Sequence, residues 1–170
     1  QEKAVSKPME FLNLFSNIKN LSFTHCVEAS QADLEKIKSL GASINHCVTS
    51  NRVLNNSKLD LSKLENIPFT IGTDGLSSNN SLSMFDELRN ALMIHCEKNI
   101  VDFSKILLKA STLNGARALG LNKGTLQKEF DADMITFSLP DEVEDMEDLP
   151  MQIILHTKFV DKTIIGGEFV

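Results

Sequence analysis

Three apolar, strand-like segments each stop on a short polar tail, and helical segments separate them. "LSFTHC" (21–26) ends in Thr24-His25-Cys26 and "ASINHC" (42–47) in Asn45-His46-Cys47. "IPFTIGTD" (67–74) ends in Thr73-Asp74, ahead of Gly75. The first two flank "SQADLEKIKSLG" (30–41), which has a helical start at Ser30 with Asp33 three residues on and a stop at Gly41. "VTSNRVLNNSK" (48–58) reads as a loop, and 59–65 as a short helical stretch. The third strand is followed by a helix over 83–97, with Met84, Leu88, Leu92 and His95 or Cys96 along one side. Strand and helix alternating three times form a βαβ pattern, which demands a parallel sheet. Parallel strands bring their carboxyl ends to one edge, where α/β architectures bind ligands. His25, His46 and Asp74 are therefore expected on one rim.

The flanking regions are less regular. Helices are expected over 8–18, 103–110 and, more weakly, 112–119. From Gly124 the texture becomes β-like, in "DMITFSLP" (133–140) and "MQIILHTKFVDKTIIGGEFV" (151–170), with Gly166-Gly167 as a hairpin turn. The acidic run "DEVEDMED" (141–148) reads as a solvated loop. His95, on a helix, and His156, in a late strand, read as structural or exposed.

Composition narrows the function classes. The 170 residues are 42% hydrophobic and 24% charged, with a net charge of −6, which suits a globular domain and disfavours nucleic acid as a partner. No apolar run has the length of a membrane span, and no signal peptide opens the chain. The odd count of 3 Cys, without paired spacing, points away from a disulfide framework and toward a reducing, cytoplasmic setting.

Successive strand residues face opposite sides, so His25 and Cys26 cannot both enter one pocket from a regular strand, nor can His46 and Cys47. We expect the histidines inward and the cysteines packed outward as small hydrophobes. On spacing alone, a metal or catalytic site and a set of hydrogen-bonded strand ends with ordinary turn chemistry at Asp74-Gly75 remain equally open.

"THCVEAS" (24–30), "INHCVTSNRVL" (44–54) and "IGTDGLSSNNSLSMFDELRNAL" (71–92) together resemble the amidohydrolase superfamily. The branch they resemble holds chlorohydrolase-like enzymes and the deaminases of S-adenosylhomocysteine, methylthioadenosine and aminofutalosine. "STLNGARALGL" (111–121) is similar to the helix that follows the barrel in that branch. Gly124-Thr125-Leu126 with Asp131-Ala132-Asp133 is similar to the turn into its small β-sandwich, although Glu129-Phe130 stands where Gly-Lys is usual.

The resemblance implies an α/β fold: the last three β/α units of a TIM-type (β/α)8 barrel (1–121), followed by part of a small β-sandwich (122–170). The family's metal site also uses a His-x-His pair, a further His and a proton-handling Glu, none of which occurs here. The chain is therefore expected to be the carboxy-terminal portion of a longer enzyme. The implied reaction is zinc-dependent deamination of an adenine-type nucleoside by metal-activated water, with iron or another divalent metal as a substitute for zinc. Asp74 would be metal ligand and base at once, Gly75 would let the chain turn sharply beside it, and His25 would steady the attacking hydroxide. His46 and Asn51 would bind substrate or shape its pocket. Ser78 and Asn79, with Asn80, would support the Asp74 loop, and Arg89 would pair with an acidic neighbour. The alternatives are a chlorohydrolase, a guanine- or cytosine-type deaminase, a catalytically incomplete fragment, or a separate domain using His25, His46 and Asp74 as its own zinc site. Expected partners are a nucleoside or heterocycle substrate and the amino-terminal half of the barrel; a homodimer is left open.

Overall fold

The structure, a computed structural model, describes residues 7–54 and 58–170. The parallel sheet expected from the strand-helix alternation is present, in the order β1-β2-β3, from β1 (Ser22–Thr24), β2 (Ser43–His46) and β3 (Phe69–Ile71). Register pairs Phe23 with Ile44 and Ile44 with Phe69, so one sheet face carries Phe23, Ile44, Phe69, His46 and Ile71. The other carries Thr24, Asn45 and Thr70, where Thr70 Oγ1 donates to Asn45 Oδ1 at 3.0 Å.

Helices cover the apolar face. α1 (Pro8–Asn13) starts with Pro8 in its first turn and ends well before the expected residue 18. Leu12 and α2 (Gln31–Ser39), through Leu34 and Ile37, pack on Ile44 in one core cluster. The α2 cap is the one expected: Ser30 Oγ accepts from the Asp33 N–H at 3.3 Å, and Asp33 Oδ2 accepts from the Ser30 N–H at 3.0 Å. Gly41 follows with φ +63°, a helix-ending conformation that costs glycine nothing. A second cluster joins Val48 and Ile71 to α4 (Met84–Ile94) through Leu88, Ala91 and Leu92, and to α5 (Ile100–Ser111) through Phe103, Leu107 and Ala110. Ser83 caps α4, and Asn99 Oδ1 caps α5 by accepting from Val101 and Asp102. A short α6 (Leu113–Ala118) follows.

Two expectations fail. The stretch read as a loop over 48–58 begins with a helix, α3 (Val48–Val53), directly after β2; residues 55–57, like 1–6, lie outside the described residues. The segment from 151, read as β, begins within α7 (Leu149–His156), which places His156 at the end of a helix rather than in a strand. Ile154 of α7 is buried among the α4 and α5 side chains, so burial decides against the β propensity of Ile153-Ile154. Arg89 secures the contact by donating to Asp86 Oδ1 at 2.5 Å and to the carbonyls of Ile154 and Thr157 at 2.9 and 3.0 Å, which adds two backbone acceptors to the acidic pair expected.

The remaining strands, β4 (Met134–Thr136), β5 (Lys162–Ile165) and β6 (Glu168–Phe169), form an antiparallel sheet in that order. Gly166 and Gly167 turn β5 into β6 at φ +60° and +88°. Glu129, where the resembled family has glycine, holds φ +73°. No helix of the described residues is long and apolar enough to cross a membrane.

Candidate active site

The carboxyl ends of the parallel strands are irregular. His25 and Cys26 have φ +70° and +48°, and Asp74 has φ +59°. Non-glycine residues hold such angles at a cost, and they recur at functional sites. The turn at His25 breaks the alternation and brings its ring toward β3, where Nε2 lies 3.7 Å from Asp74 Oδ2. Both side chains are about one-third exposed, at 37% and 35%. The sharp turn expected at Gly75 is at Asp74 itself; Gly75 lies outside the left-handed region, and its N–H donates to Asp74 Oδ1 at 2.8 Å.

Asp74 is held by donors. Ser50 Oγ donates to Oδ2 at 2.6 Å and Ser78 Oγ at 3.2 Å, while the two hydroxyls lie 2.9 Å apart. The Ser50 hydroxyl first, then the Gly75 N–H, Ser78 and His25, hold the Asp74 carboxyl below the usual carboxylate range against a smaller opposing effect of desolvation. Asn79 Nδ2 donates to the Thr73 carbonyl at 2.6 Å and so closes the 73–79 loop. Asn80 is exposed.

α3 supplies the other support. Asn51 is 1% exposed, and its Oδ1 lies 2.7 Å from His25 Nδ1. It stands behind His25, and its observed contact is with that histidine. His46 departs further from expectation. Unlike His25 it keeps the strand alternation, and it shares the helix-covered face with Ile44. Its ring is 1% exposed, lies 3.0 Å from His95 through the two Nε2 atoms, and has its pKa pushed down to about 3 by burial, then by His95 and His25. The inward pair of histidines is thus reduced to His25. Cys47 is buried, and Cys26 is half-buried against the α2 cluster.

Several supporting residues escaped the sequence reading. Ser50 did so because α3 did. Glu87 of α4 is 1% exposed, yet it accepts from the Thr49 N–H at 2.9 Å, Thr49 Oγ1 at 2.7 Å and Asn79 Nδ2 at 3.1 Å. One carboxylate thereby ties α3 and the Asp74 loop to α4. The available signal was its position: Glu87 lies three residues after Met84 and four before Ala91, on the apolar stripe. Among the described residues no cluster of three or more His, Cys, Asp or Glu could hold a metal ion.

Residues 3–170 match the model of the amidohydrolase family. The chain is 42% identical over 168 residues to an aminodeoxyfutalosine deaminase from a Nitratiruptor species, covering 99% of this chain and 41% of that protein. The crystal structure of Helicobacter pylori aminofutalosine deaminase in complex with methylthio-coformycin superposes with a TM-score of 0.91 at 33% identity, over 99% of this chain and 43% of that one. An adenosine deaminase from Xanthomonas campestris with bound zinc gives 0.82 at 26% identity, over 98% and 40%. The chain thus spans about two-fifths of the length of these relatives. With nearly all of its residues matched to one family model, the chain belongs to the amidohydrolase family.

Proposed function

We propose that these residues form the carboxy-terminal part of a zinc-dependent aminohydrolase that removes the amino group from an adenine-type ring of a nucleoside. In this reading 1–121 supplies the last three β/α units of the barrel and 122–170 a segment of the β-sandwich. The observation that carries it is the Asp74–His25 pair at the mouth of the parallel sheet, 3.7 Å apart and partly open to solvent. The relatives named as deaminases support the substrate class.

The two side chains suit a metal ion. Asn51 Oδ1 can only accept, so His25 Nδ1 carries the proton it shares and leaves Nε2 to face the lone pairs on Asp74 Oδ2. Two acceptors so close call for a cation or a proton between them. Two ligand atoms of a tetrahedral zinc lie about 3.4 Å apart, from metal–ligand lengths of roughly 2.0–2.2 Å. His46 has no part in this, since its ring lies buried against His95. That removes the support for a self-contained His25–His46–Asp74 zinc site, and the remaining ligands are assigned to the upstream part of a longer chain.

A bound zinc would supply a water acidified toward neutral pH and a Lewis acid. Asp74, kept ionised by Ser50 and Gly75, would accept the proton of the attacking water. His25, through its Nε2 lone pair, would hold the zinc ion beside Asp74, so that the negative charge developing as the ring carbon is attacked is met by the cation. The proton taken up by Asp74 would then pass to the departing amino group, and ammonia would leave as the carbon–nitrogen bond breaks. The chlorohydrolase and the guanine- or cytosine-type readings gain no observation of their own. The test offers the full-length protein adenosine, 5′-methylthioadenosine, S-adenosylhomocysteine and aminodeoxyfutalosine, with a chlorinated triazine alongside. Ammonia release from at least one adenine nucleoside is expected; chloride release alone, or no turnover of any, would overturn the proposal.

A further inference from the structure

Two buried polar atoms face one cavity behind the candidate site. Asn51 Nδ2 and His46 Nδ1 have no hydrogen-bond partner among the described residues. Both side chains are 1% exposed. Both line a cavity of about 300 Å³, whose other walls are Val48, Arg52, Lys58 and Ile94.

Donor and acceptor roles can be followed inward from the surface. Lys58 Nζ donates to Glu97 Oε2 at 2.6 Å, and chiefly through that bond the Glu97 carboxyl is lowered to about 2. An ionised carboxylate only accepts. His95 Nδ1 makes no well-aligned hydrogen bond among the described residues, but it lies 3.5 Å from Glu97 Oε1, and beside that carboxylate a proton on Nδ1 is favoured over a second lone pair. Burial first of all lowers the pKa of His95 and keeps the ring neutral, so its Nε2 accepts and His46 Nε2 donates across their 3.0 Å contact. His46 is neutral as well, and its Nδ1 is left as an acceptor facing the cavity. Asn51, with Oδ1 toward His25, presents the Nδ2 donor to the same space. A donor and an acceptor bordering a space with room for water are what a buried water bridges.

We propose that this cavity binds ordered water joining Asn51 Nδ2 to His46 Nδ1, so that Glu97, His95, His46 and Asn51 form one polar relay that positions His25. The inference rests on the reading of His25 as a site residue. The water donates to His46 Nδ1 and accepts from Asn51 Nδ2, which turns Oδ1 toward His25 and places the proton on His25 Nδ1 and the lone pair at Nε2, beside Asp74. Reversing the Asn51 amide would reverse this order: Nδ2 would face His25, and the proton would move to Nε2. Asn51, His46 and His95 are positioning residues here, because they act on the candidate reaction through His25.

Histidine ¹⁵N NMR of the full-length protein, with and without its metal, tests the relay. The expected result in both states is the proton at Nδ1 of His25 and His95 and at Nε2 of His46. A proton at Nε2 of metal-free His25, or at Nδ1 of His46, overturns the relay. The second variable is Glu97→Ala, at an exposed residue whose loss leaves the core intact. It should lower kcat about tenfold with KM within about twofold, give metal-free His25 a mixed tautomer, and be rescued by Glu97→Asp. An unchanged kcat with an unchanged His25 signal overturns the proposal. If the wild-type protein released ammonia from no adenine nucleoside, the functional reading would fail while the tautomer pattern still decided the relay.

Discussion

Glu87→Gln perturbs the junction on which the candidate site rests. The carboxylate is buried and accepts three hydrogen bonds, two from Thr49 and one from Asn79. A glutamine of the same shape has one oxygen and one N–H₂ group. With the oxygen toward the Thr49 N–H, the N–H₂ group meets Asn79 Nδ2, donor against donor. With the amide reversed, the Thr49 backbone N–H loses its acceptor. Thr49 Oγ1 can rotate, although it already accepts from Asn90 Nδ2 at 2.8 Å. Either orientation leaves one buried donor unpaired, at a cost of about 1–3 kcal/mol. Loss of charge assistance adds to this, and relief from burying a charge subtracts, so the net is about 2 kcal/mol. At roughly 2–4 °C per kcal/mol for a domain of this size, Tm should fall by about 4–8 °C. Paired thermal melts of wild type and variant provide the assay, with kcat/KM as a second readout because Asn79 holds the Asp74 loop. A Tm within about 1 °C of wild type would refute the account of Glu87 as the tie between α3 and that loop.

Ser50→Ala removes the 2.6 Å donor to Asp74. Discounted for the partly exposed carboxylate, the loss is about 1–1.5 kcal/mol, or roughly tenfold in kcat/KM. Because Ser50 is the main cause of the low Asp74 pKa, that pKa should rise and the acid limb of the rate profile should move to higher pH. Gly124→Ala would place a Cβ 2.6 Å from the Thr112 carbonyl oxygen at φ +84°, which should cost about 1–3 kcal/mol and lower Tm by several degrees. The Glu97 carboxyl is lowered from 4.5 to about 2, so its stabilising pair with Lys58 is fully present above 4.5 and lost as pH falls through about 2. Denaturation of wild type and Glu97→Gln across that range should show the two converging at the acid end.

The parallel sheet was legible because its strands are apolar runs punctuated by recognisable caps, Ser30 and Gly41 above all. α3 was not legible. Six residues with three β-branched members have little helical preference, and tertiary bonds from Thr49, Ser50 and Asn51 hold them in place. α7 was ambiguous because "MQIILH" is apolar on every side and carries no period; Pro150 in its first turn was the available signal. His46 could have been placed correctly by counting two residues on from Ile44. His25 could not, since its left-handed backbone breaks the same count. The Asp74 motif stood out in the sequence, whereas its partners Ser50, Asn51 and Glu87 became meaningful only once α3 was folded against β3 and α4.

The central claim is that Asp74 acts as metal ligand and base at once. The direct measurement is kcat/KM for ammonia release, together with bound zinc per chain, for wild-type and Asp74→Asn full-length protein. The account predicts a loss on the order of 10³ in kcat/KM with weakened zinc retention. Wild-type turnover with full zinc in the variant would contradict it.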